Sequence, residues 1–138
     1  MWIDTDTASD DAVAIVMALK HPNTEVVGMS VVIGNVPVEV GVQNALYTAE
    51  LCGKSIPVHA GAAMPLVRPF ATAQHVHGAD GMGDIGLPLS GRAATSNDAV
   101  HAMKRRSAMS PASWNSSPLD HSRISPWPSA LSRGSPVG

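Results

Sequence analysis

Short apolar runs alternate with segments of helical periodicity over residues 1 to 103, and this alternation constrains the fold more than any other feature of the sequence. Strands separated by helices are typical of parallel sheets with crossover connections. The predicted elements are a strand at Trp2–Thr5, a helix at Asp10–Lys20, a buried strand at Val26–Ile33, a helix at Val38–Leu51 closed by Gly53, a strand at Ile56–Ala60 and a short helix that Ser96 caps and that runs through Met103. Residues 61 to 91, rich in glycine and proline, predict loops. We therefore expect an α/β fold with a partial, open, mostly parallel sheet and crossover helices.

Charge and cysteine content exclude several classes of protein. A formal charge of -2 with 14% charged residues gives no basic surface for nucleic acid and no polybasic membrane patch. The single cysteine, Cys52, excludes an internal disulfide framework. No apolar run approaches the roughly 20 residues of a membrane span. We expect a cytoplasmic protein without nucleic-acid or membrane partners.

Four carboxylates, those of Asp4, Asp6, Asp10 and Asp11, lie where the first predicted strand ends and the first predicted helix begins. A turn that follows a parallel strand lies at the carboxyl edge of the sheet, where open α/β folds build their sites. We therefore expect the four carboxylates to converge there, with Asn35 close by. Bringing several like charges together is costly unless a cation compensates them, and oxygen ligands suit Ca²⁺ or Mg²⁺. The alternative is that Asp10 and Asp11 favour the helix N-terminus through its dipole while Asp4 and Asp6 lie in a solvated turn.

Two cation motifs can be compared with this segment. An EF-hand loop counted from Asp4 would have Ala8, Ser9 and Ile15 at its fifth, sixth and twelfth positions, where an oxygen ligand, Gly and Glu are needed, so that motif is excluded. The spacing of Asp4, Asp6 and Ala8 partly resembles the haloacid dehalogenase superfamily. A metal-dependent phosphatase is therefore an alternative function.

A closer resemblance extends over the whole phrase from Asp4 to Ile15. The phrase Asp-Thr-Asp, three small residues and Asp-Asp-Ala resembles the N-terminal signature of the inosine-uridine-type nucleoside hydrolases, although Thr7-Ala8 stands where that family usually has Pro-Gly. Three later motifs, in the family's order, are Gly34-Asn35-Val36, Asn44-Ala45 and the run His77-Gly78-Ala79-Asp80-Gly81-Met82-Gly83.

The resemblance implies a Ca²⁺ site and a reaction. Asp6 and Asp11 would be carboxylate ligands of Ca²⁺, Asp6 would also act as the general base, and Asp4 would brace the turn behind them. The chemistry would be that of a Ca²⁺-dependent nucleoside N-ribohydrolase, which cleaves the N-glycosidic bond of a ribonucleoside to ribose and a free base in nucleoside salvage. Such a metal would orient the sugar and lower the pKa of the attacking water.

The resemblance also implies contacts with a small ribonucleoside substrate. Asp10 would accept a hydrogen bond from a ribose hydroxyl, Asn35 would join the metal-site or ribose network, and His77 would shape the base pocket. For His77 a purely structural role in its loop is the alternative. The full-length form of such a protein is also expected to be able to form a homo-oligomer.

The composition changes from residue 104. Residues 105 to 138 contain ten serines, five prolines and one acidic residue, without helical or strand periodicity, and yet include Trp114 and Trp127. The family resemblance implies a phrase like Thr-x-Gly-Pro-Leu-Thr-Asn-Leu-Ala in the next strand. Moving the codon boundaries back by one nucleotide over residues 114 to 128 permits Leu-Glu-Leu-Val-Ala-Thr-Gly-Pro-Leu-Thr-Asn-Leu-Ala-Leu-Ala.

We therefore expect a one-nucleotide frameshift near residues 104 to 113, a genuine disordered tail being the alternative. The predicted organisation is an N-terminal part of a nucleoside hydrolase-like domain at 1–103 and an out-of-frame, disordered tail at 104–138. On this interpretation the chain is a truncated form with little or no activity, or a non-catalytic remnant that binds a cation weakly.

Overall fold

The computed structural model of the chain describes residues 1–67 and 69–109. Its elements are, in chain order, β1 (Trp2–Thr5), α1 (Ser9–Lys20), β2 (Gly28–Val31), α2 (Val38–Leu51), β3 (Val58–Ala60), α3 (Gln74–His77) and α4 (Ala99–Met109). The predicted disorder of the tail falls mostly on residues 110–138, which lie outside the described ranges.

Three parallel strands form one sheet in the order β1-β2-β3. The register places Asp4 opposite Ser30 and Ser30 opposite His59. Beyond the ladder, the Val32 amide donates to the Thr5 carbonyl at 2.9 Å, so the segments that follow β1 and β2 begin side by side. This parallel, open arrangement confirms the predicted α/β class.

One face of the sheet packs with α1 and α2 around the hydrophobic core. The strands contribute Met29, Val31 and Val58, each fully buried. The helices contribute Ile15, Leu19, Val38, Val42, Ala45 and Ala49. Helix α2 approaches β2 closely because Gly41 has no side chain: a Cβ there would lie 2.9 Å from Val31 Cγ1. The core thereby fixes both helices relative to the carboxyl edge of the sheet.

The opposite face of the sheet carries polar and aromatic side chains, as strand alternation requires. The rings of Trp2 and His59 stack with centroids 5.6 Å apart and an interplanar angle of 11°. The Trp2 indole N–H donates to Ser30 Oγ at 3.0 Å. His59 Nδ1 and Ser96 Oγ are 2.8 Å apart. Burial lowers the pKa of His59 below its usual value of 6.5, so the ring is neutral at pH 7.

A long loop, residues 61–94, leaves β3 and returns to it. At its return, the Thr95 amide donates to the Val58 carbonyl at 2.7 Å, and the Ala60 amide donates to the Ser96 carbonyl at 2.8 Å. Within the loop, the Ala73 amide donates to the Asn35 carbonyl at 2.9 Å. Both ends of the long loop are therefore anchored on the same strand, and its middle is anchored on Asn35, in the segment that follows β2.

Element boundaries follow the sequence prediction closely in some places and less closely in others. Strand β1 and helix α2 have the predicted bounds, and α1 begins one residue earlier, at Ser9. Strand β2 is shorter than the predicted Val26–Ile33, and β3 is shorter than the predicted Ile56–Ala60. Apolar side chains continue beyond both ladders, and apolarity alone does not mark where strand pairing stops.

The last helix differs most from its prediction. It was predicted to follow a Ser96 cap and to run through Met103, but α4 spans Ala99–Met109. Ser96 pairs with His59 as a parallel bridge and is therefore extended. Asp98 provides the N-terminal cap instead, because its Oδ1 accepts the His101 amide at 2.9 Å. The helix continues through the basic residues after Met103, where composition predicted the start of the tail.

Candidate active site at the carboxyl edge of the sheet

The acidic turn, residues 6–11, runs from the end of β1 into the first turn of α1 and meets the segment that follows β2. Asp6 Oδ2 accepts the Asn35 backbone amide at 2.8 Å. Asp11 Oδ2 accepts the Asn35 side-chain amide at 3.3 Å and the Ala8 backbone amide at 3.1 Å. Asn35 thus brings together two of the predicted acids, which lie on opposite ends of the acidic turn.

Gly34 leaves room for this arrangement. A Cβ built on Gly34 would lie 2.0 Å from Asp6 Oδ2 and 2.7 Å from Asp6 Cγ. No side chain fits there unless the carboxylate moves. Asn35 therefore holds Asp6 by a hydrogen bond, and Gly34 leaves room for its carboxylate because it has no side chain.

Asp10 lies in the first turn of α1, beside His77 of α3 rather than beside Asn35. His77 Nδ1 is 3.9 Å from Asp10 Oδ1 and 3.1 Å from Ser9 Oγ. The side chain of Asp10 is 71% exposed and that of His77 is 17% exposed. The pair combines an accessible acceptor with a mostly enclosed ring, an arrangement suited to a polar ligand at the edge of the turn.

Asp4 has a different neighbour from the other three acids. It lies within β1, on the sheet face of Trp2, and its Oδ1 accepts a short hydrogen bond from Ser30 Oγ on β2. The carboxylate thereby ties the last residues of β1 to β2, immediately before the acidic turn.

The glycine loop, residues 77–84, follows α3 and is built on backbone hydrogen bonds to two carboxylates. Asp84 accepts the amides of Ala79 at 2.9 Å and Asp80 at 3.0 Å. Asp80 Oδ1 in turn accepts the amides of Met82 at 2.7 Å and Asp84 at 3.0 Å. The backbone hydrogen bonds from Asp80 and Ala79 lower the pKa of Asp84 below its usual 3.8. The loop that carries His77 is thus internally braced.

The donor set partly fits a Ca²⁺ ion. Asp6 and Asp11 supply carboxylate oxygens around one shared partner, and carboxylates are the ligands this hard cation prefers. Across residues 1–67 and 69–109, no three His, Cys, Asp or Glu side chains lie close enough to hold one metal ion. Two carboxylates are a fraction of the about six to eight oxygens that Ca²⁺ takes. The described residues therefore provide part of such a site.

Two sets of contacts at this edge were not predicted from the sequence. Ser9 and His77 lie 68 residues apart in the chain, and only the fold brings them together. Asn44, quoted above as part of a motif, is fully buried in α2 and donates hydrogen bonds to both the acidic turn and the glycine loop. An amide on the otherwise apolar, buried face of a helix is the signal that marks such a residue.

A family model described as inosine-uridine preferring nucleoside hydrolase matches residues 1–117 of the chain. The inosine-uridine preferring nucleoside hydrolase of Leishmania major is 39% identical over 103 residues, which are 74% of this chain and 32% of that protein. Uridine nucleosidase 1 of Arabidopsis thaliana is 36% identical over 106 residues, which are 75% of this chain and 32% of that protein.

A solved structure gives the same relation at the level of the fold. The purine-preferring ribonucleoside hydrolase from Gardnerella vaginalis matches with a TM-score of 0.73 at 32% identity, covering 79% of this chain and 36% of that chain. The chain spans about a third of the length of the curated relatives it matches. In the described part of the chain, no helix combines the length and apolar character needed to cross a membrane.

Proposed function

Because the chain belongs to the inosine-uridine preferring nucleoside hydrolase family, we propose that it carries part of the active site of a Ca²⁺-dependent nucleoside N-ribohydrolase. The reaction is hydrolysis of the N-glycosidic bond of a ribonucleoside to ribose and a free base. By their descriptions, the relative from Leishmania major prefers inosine and uridine, that from Arabidopsis thaliana is a uridine nucleosidase, and that from Gardnerella vaginalis prefers purine ribonucleosides. The family match favours this reaction over the phosphatase alternative.

The observation that carries the proposal is the junction at Asn35. Its backbone and side-chain amides hold one oxygen each of Asp6 and Asp11. Two carboxylates held by one residue repel each other, and a cation bound by their remaining oxygens relieves that repulsion. Ca²⁺ matches these hard donors.

The residues have separate roles in the proposed reaction. The Asp6 carboxylate takes a proton from the attacking water as general base, while the bond between the sugar and the base breaks through an oxocarbenium-like state. Asp10 accepts a hydrogen bond from a ribose hydroxyl, and its exposure leaves it accessible to one. When bound, Ca²⁺ would orient the sugar hydroxyls and lower the pKa of the attacking water.

His77 and Asp4 support these groups. His77 Nδ1 lies 3.9 Å from Asp10 Oδ1 and 3.1 Å from Ser9 Oγ. In the proposed complex His77 borders the substrate on the side of the base. Asp4, bonded to Ser30, holds the end of β1 from which the acidic turn departs. A cytoplasmic location and a homo-oligomeric full-length form remain predictions.

Calcium titration tests the proposal. We expect Ca²⁺ binding by the chain to weaken by more than about tenfold in Asp6→Asn and in Asp11→Asn, since loss even of residues that only orient metal ligands costs 10- to 100-fold. Asp98→Asn is the control, because Asp98 caps α4 away from the acidic turn. Equal affinities in all three variants would contradict the metal assignment. Assays with uridine, inosine and an aryl phosphate, with and without chelator, then separate a nucleosidase, a phosphatase and a non-catalytic remnant.

A further inference from the structure

We propose that Asn44 is a positioning residue that fixes the acidic turn and the glycine loop relative to each other. It lies in α2, which contributes no carboxylate or imidazole to the site described above. Its effect on the site is therefore indirect, through the two backbone segments that it contacts.

The Asn44 side-chain amide bridges two loops that are distant in sequence. Its Nδ2 donates to the Thr7 carbonyl at 3.1 Å and to the Asp80 carbonyl at 2.9 Å. Both amide protons are thereby used. Asn44 is 0% exposed, so its amide group has no contact with bulk water.

The hydrogen-bond partners settle the orientation of the amide group. Exchanging nitrogen and oxygen would face the Asn44 oxygen with two carbonyl oxygens, which are acceptors only. In the present orientation Asn44 Oδ1 is buried and has no hydrogen-bond partner within the described ranges. Burying such an oxygen is unfavourable. An apolar side chain of similar size would avoid that cost, so packing alone does not account for an amide at this position.

The glycine loop is shaped to admit this contact. A Cβ built on Gly81 would lie 3.0 Å from Asn44 Nδ2 and 2.6 Å from Val36 Cγ1, and Gly81 has a φ of +73°. Only a residue without a side chain lets the loop backbone come this close to α2 in this conformation.

The two carbonyls belong to the segments that carry the site residues. Thr7 directly follows Asp6, and Asp80 lies in the loop that begins with His77. Holding both carbonyls on one amide sets the separation between the carboxylates of the acidic turn and the imidazole. The effect of Asn44 on Ca²⁺ and substrate rests on the proposed function. The bridge between the two loops does not.

Amide hydrogen exchange in the metal-free chain tests the bridge directly. Asn44→Leu keeps the bulk and Asn44→Asp keeps the shape, but neither donates two hydrogen bonds from this position. Thr48→Val is the matched control, because it removes a buried hydroxyl whose hydrogen bond goes to the Asn44 carbonyl within α2 and not to a carbonyl of either loop. The reporters are the Ala12 amide, which donates to the Ala8 carbonyl of the acidic turn, and the Gly81 and Gly83 amides, which donate to carbonyls of the glycine loop. We expect these amides to exchange roughly tenfold faster in both Asn44 variants and not in Thr48→Val, because each segment loses one hydrogen bond.

Each outcome decides the inference. Faster exchange at both segments in the Asn44 variants alone supports it. Faster exchange at one segment only, or an equal effect in Thr48→Val, overturns it. If the Asn44 variants do not fold, the unsubstituted chain decides: slowly exchanging Asn44 side-chain amide protons with NOEs to Thr7 and Asp80 support the bridge, and rapid exchange of those protons overturns it.

Calcium affinity separates this inference from the proposed function. We expect the Ca²⁺ dissociation constant to rise about 10- to 100-fold in Asn44→Leu, as for other residues that orient metal ligands. If the unsubstituted chain binds no Ca²⁺ while exchange reveals the bridge, the proposed function fails and the bridge stands. If Ca²⁺ binds with equal affinity in the unsubstituted chain and Asn44→Leu, the positioning role fails and the proposed function stands.

Discussion

The Asp6 carboxylate occupies space that is free only because Gly34 has no side chain. We predict that Gly34→Ala weakens Ca²⁺ binding by at least about tenfold, because a Cβ 2.0 Å from Asp6 Oδ2 forces the carboxylate away from Asn35. Isothermal titration of Ca²⁺ measures the change.

Gly53→Ala is the control for that substitution. Gly53 has a φ of +69° and nothing within 4 Å of a built Cβ, so alanine there costs about 1 kcal/mol or more through backbone strain without touching the site. If both variants lower Ca²⁺ affinity equally, loss of stability rather than displacement of Asp6 explains the effect.

His59 makes stability depend on pH. Because burial lowers its pKa in the folded chain, the unfolded chain binds the proton more readily between that lowered pKa and 6.5. We therefore predict that stability contributed by neutral His59 is complete above pH 6.5 and is lost as the pH falls through this window. His59→Phe retains an aromatic ring against Trp2 and cannot titrate. Its melting temperature should change less between pH 8 and pH 5.5, and an unchanged pH dependence would refute the assignment.

At the scale of elements, one of the two carboxylates that brace the glycine loop, that of Asp84, makes the order of the loop depend on pH. Asp84 has a lowered pKa because its carboxylate accepts the Asp80 and Ala79 amides. The loop order it contributes is therefore complete above pH 3.8 and is lost as the pH falls through the lower, folded pKa. We predict faster amide exchange at Ala79 and Asp80 in that acidic window.

Asp84→Asn isolates the carboxylate in that test. Asp84 has a φ of +54°, and asparagine tolerates this left-handed conformation. The variant should therefore exchange rapidly at Ala79 and Asp80 even at neutral pH. Slow exchange in Asp84→Asn would mean that the backbone conformation alone holds the loop.

Local patterns predicted the elements because each depends on nearby residues. The helical period and Gly53 set the bounds of α2, and the apolar run at Trp2–Thr5 set β1. Strand ends and the start of α4 depend on partners elsewhere: Ser96 is extended because His59 pairs with it. Sequence reasoning had no access to that pairing.

The site divides along the same line. Strand-turn-helix order predicted that Asp6 and Asp11 would lie near Asn35, and the hydrogen bonds place them there. It also predicted that all four acids would converge, whereas Asp4 bonds to Ser30 and Asp10 lies beside His77. Asp4 lies within β1, whereas Asp6 follows its last residue, Thr5. Strand alternation would put residues two apart on the same face, and the spacing of the acids does not show that the strand ends between them.

At the scale of the whole molecule, the tail after residue 104 raises the question of whether it is translated in the original reading frame. We predict that the gene carries a one-nucleotide insertion or deletion near codons 104 to 113, just before residues 114 to 128, whose shifted frame permits the phrase that the family resemblance implies. The nucleotide sequence across codons 100 to 115 checks this. An unaltered frame in independent isolates of the gene would leave the tail as a genuine coding segment.

Activity measurements extend the same prediction. The frame-restored product should hydrolyse uridine or inosine in a chelator-sensitive manner, and the 138-residue chain should do so very slowly. The physical reason is that the described residues bring only two carboxylates to Asn35, and misplacing a bound sugar by about 1 Å can cost on the order of 10²-fold in rate. Comparable chelator-sensitive turnover by both proteins would contradict this.

Because the long loop returns to β3, hydrogen bonds as well as the covalent chain hold the glycine loop in place. Thr95 and Ser96 bond to β3 on one side of the excursion, and Ala73 bonds to Asn35 within it. Leu66 is 98% exposed in between, a suitable position for proteolytic nicking. We predict that thermolysin cuts next to Leu66 and that both fragments then elute together in size-exclusion chromatography, separating only in denaturant. The two fragments would then associate without a covalent link, so that they can be expressed separately and mixed to restore the edge of the sheet.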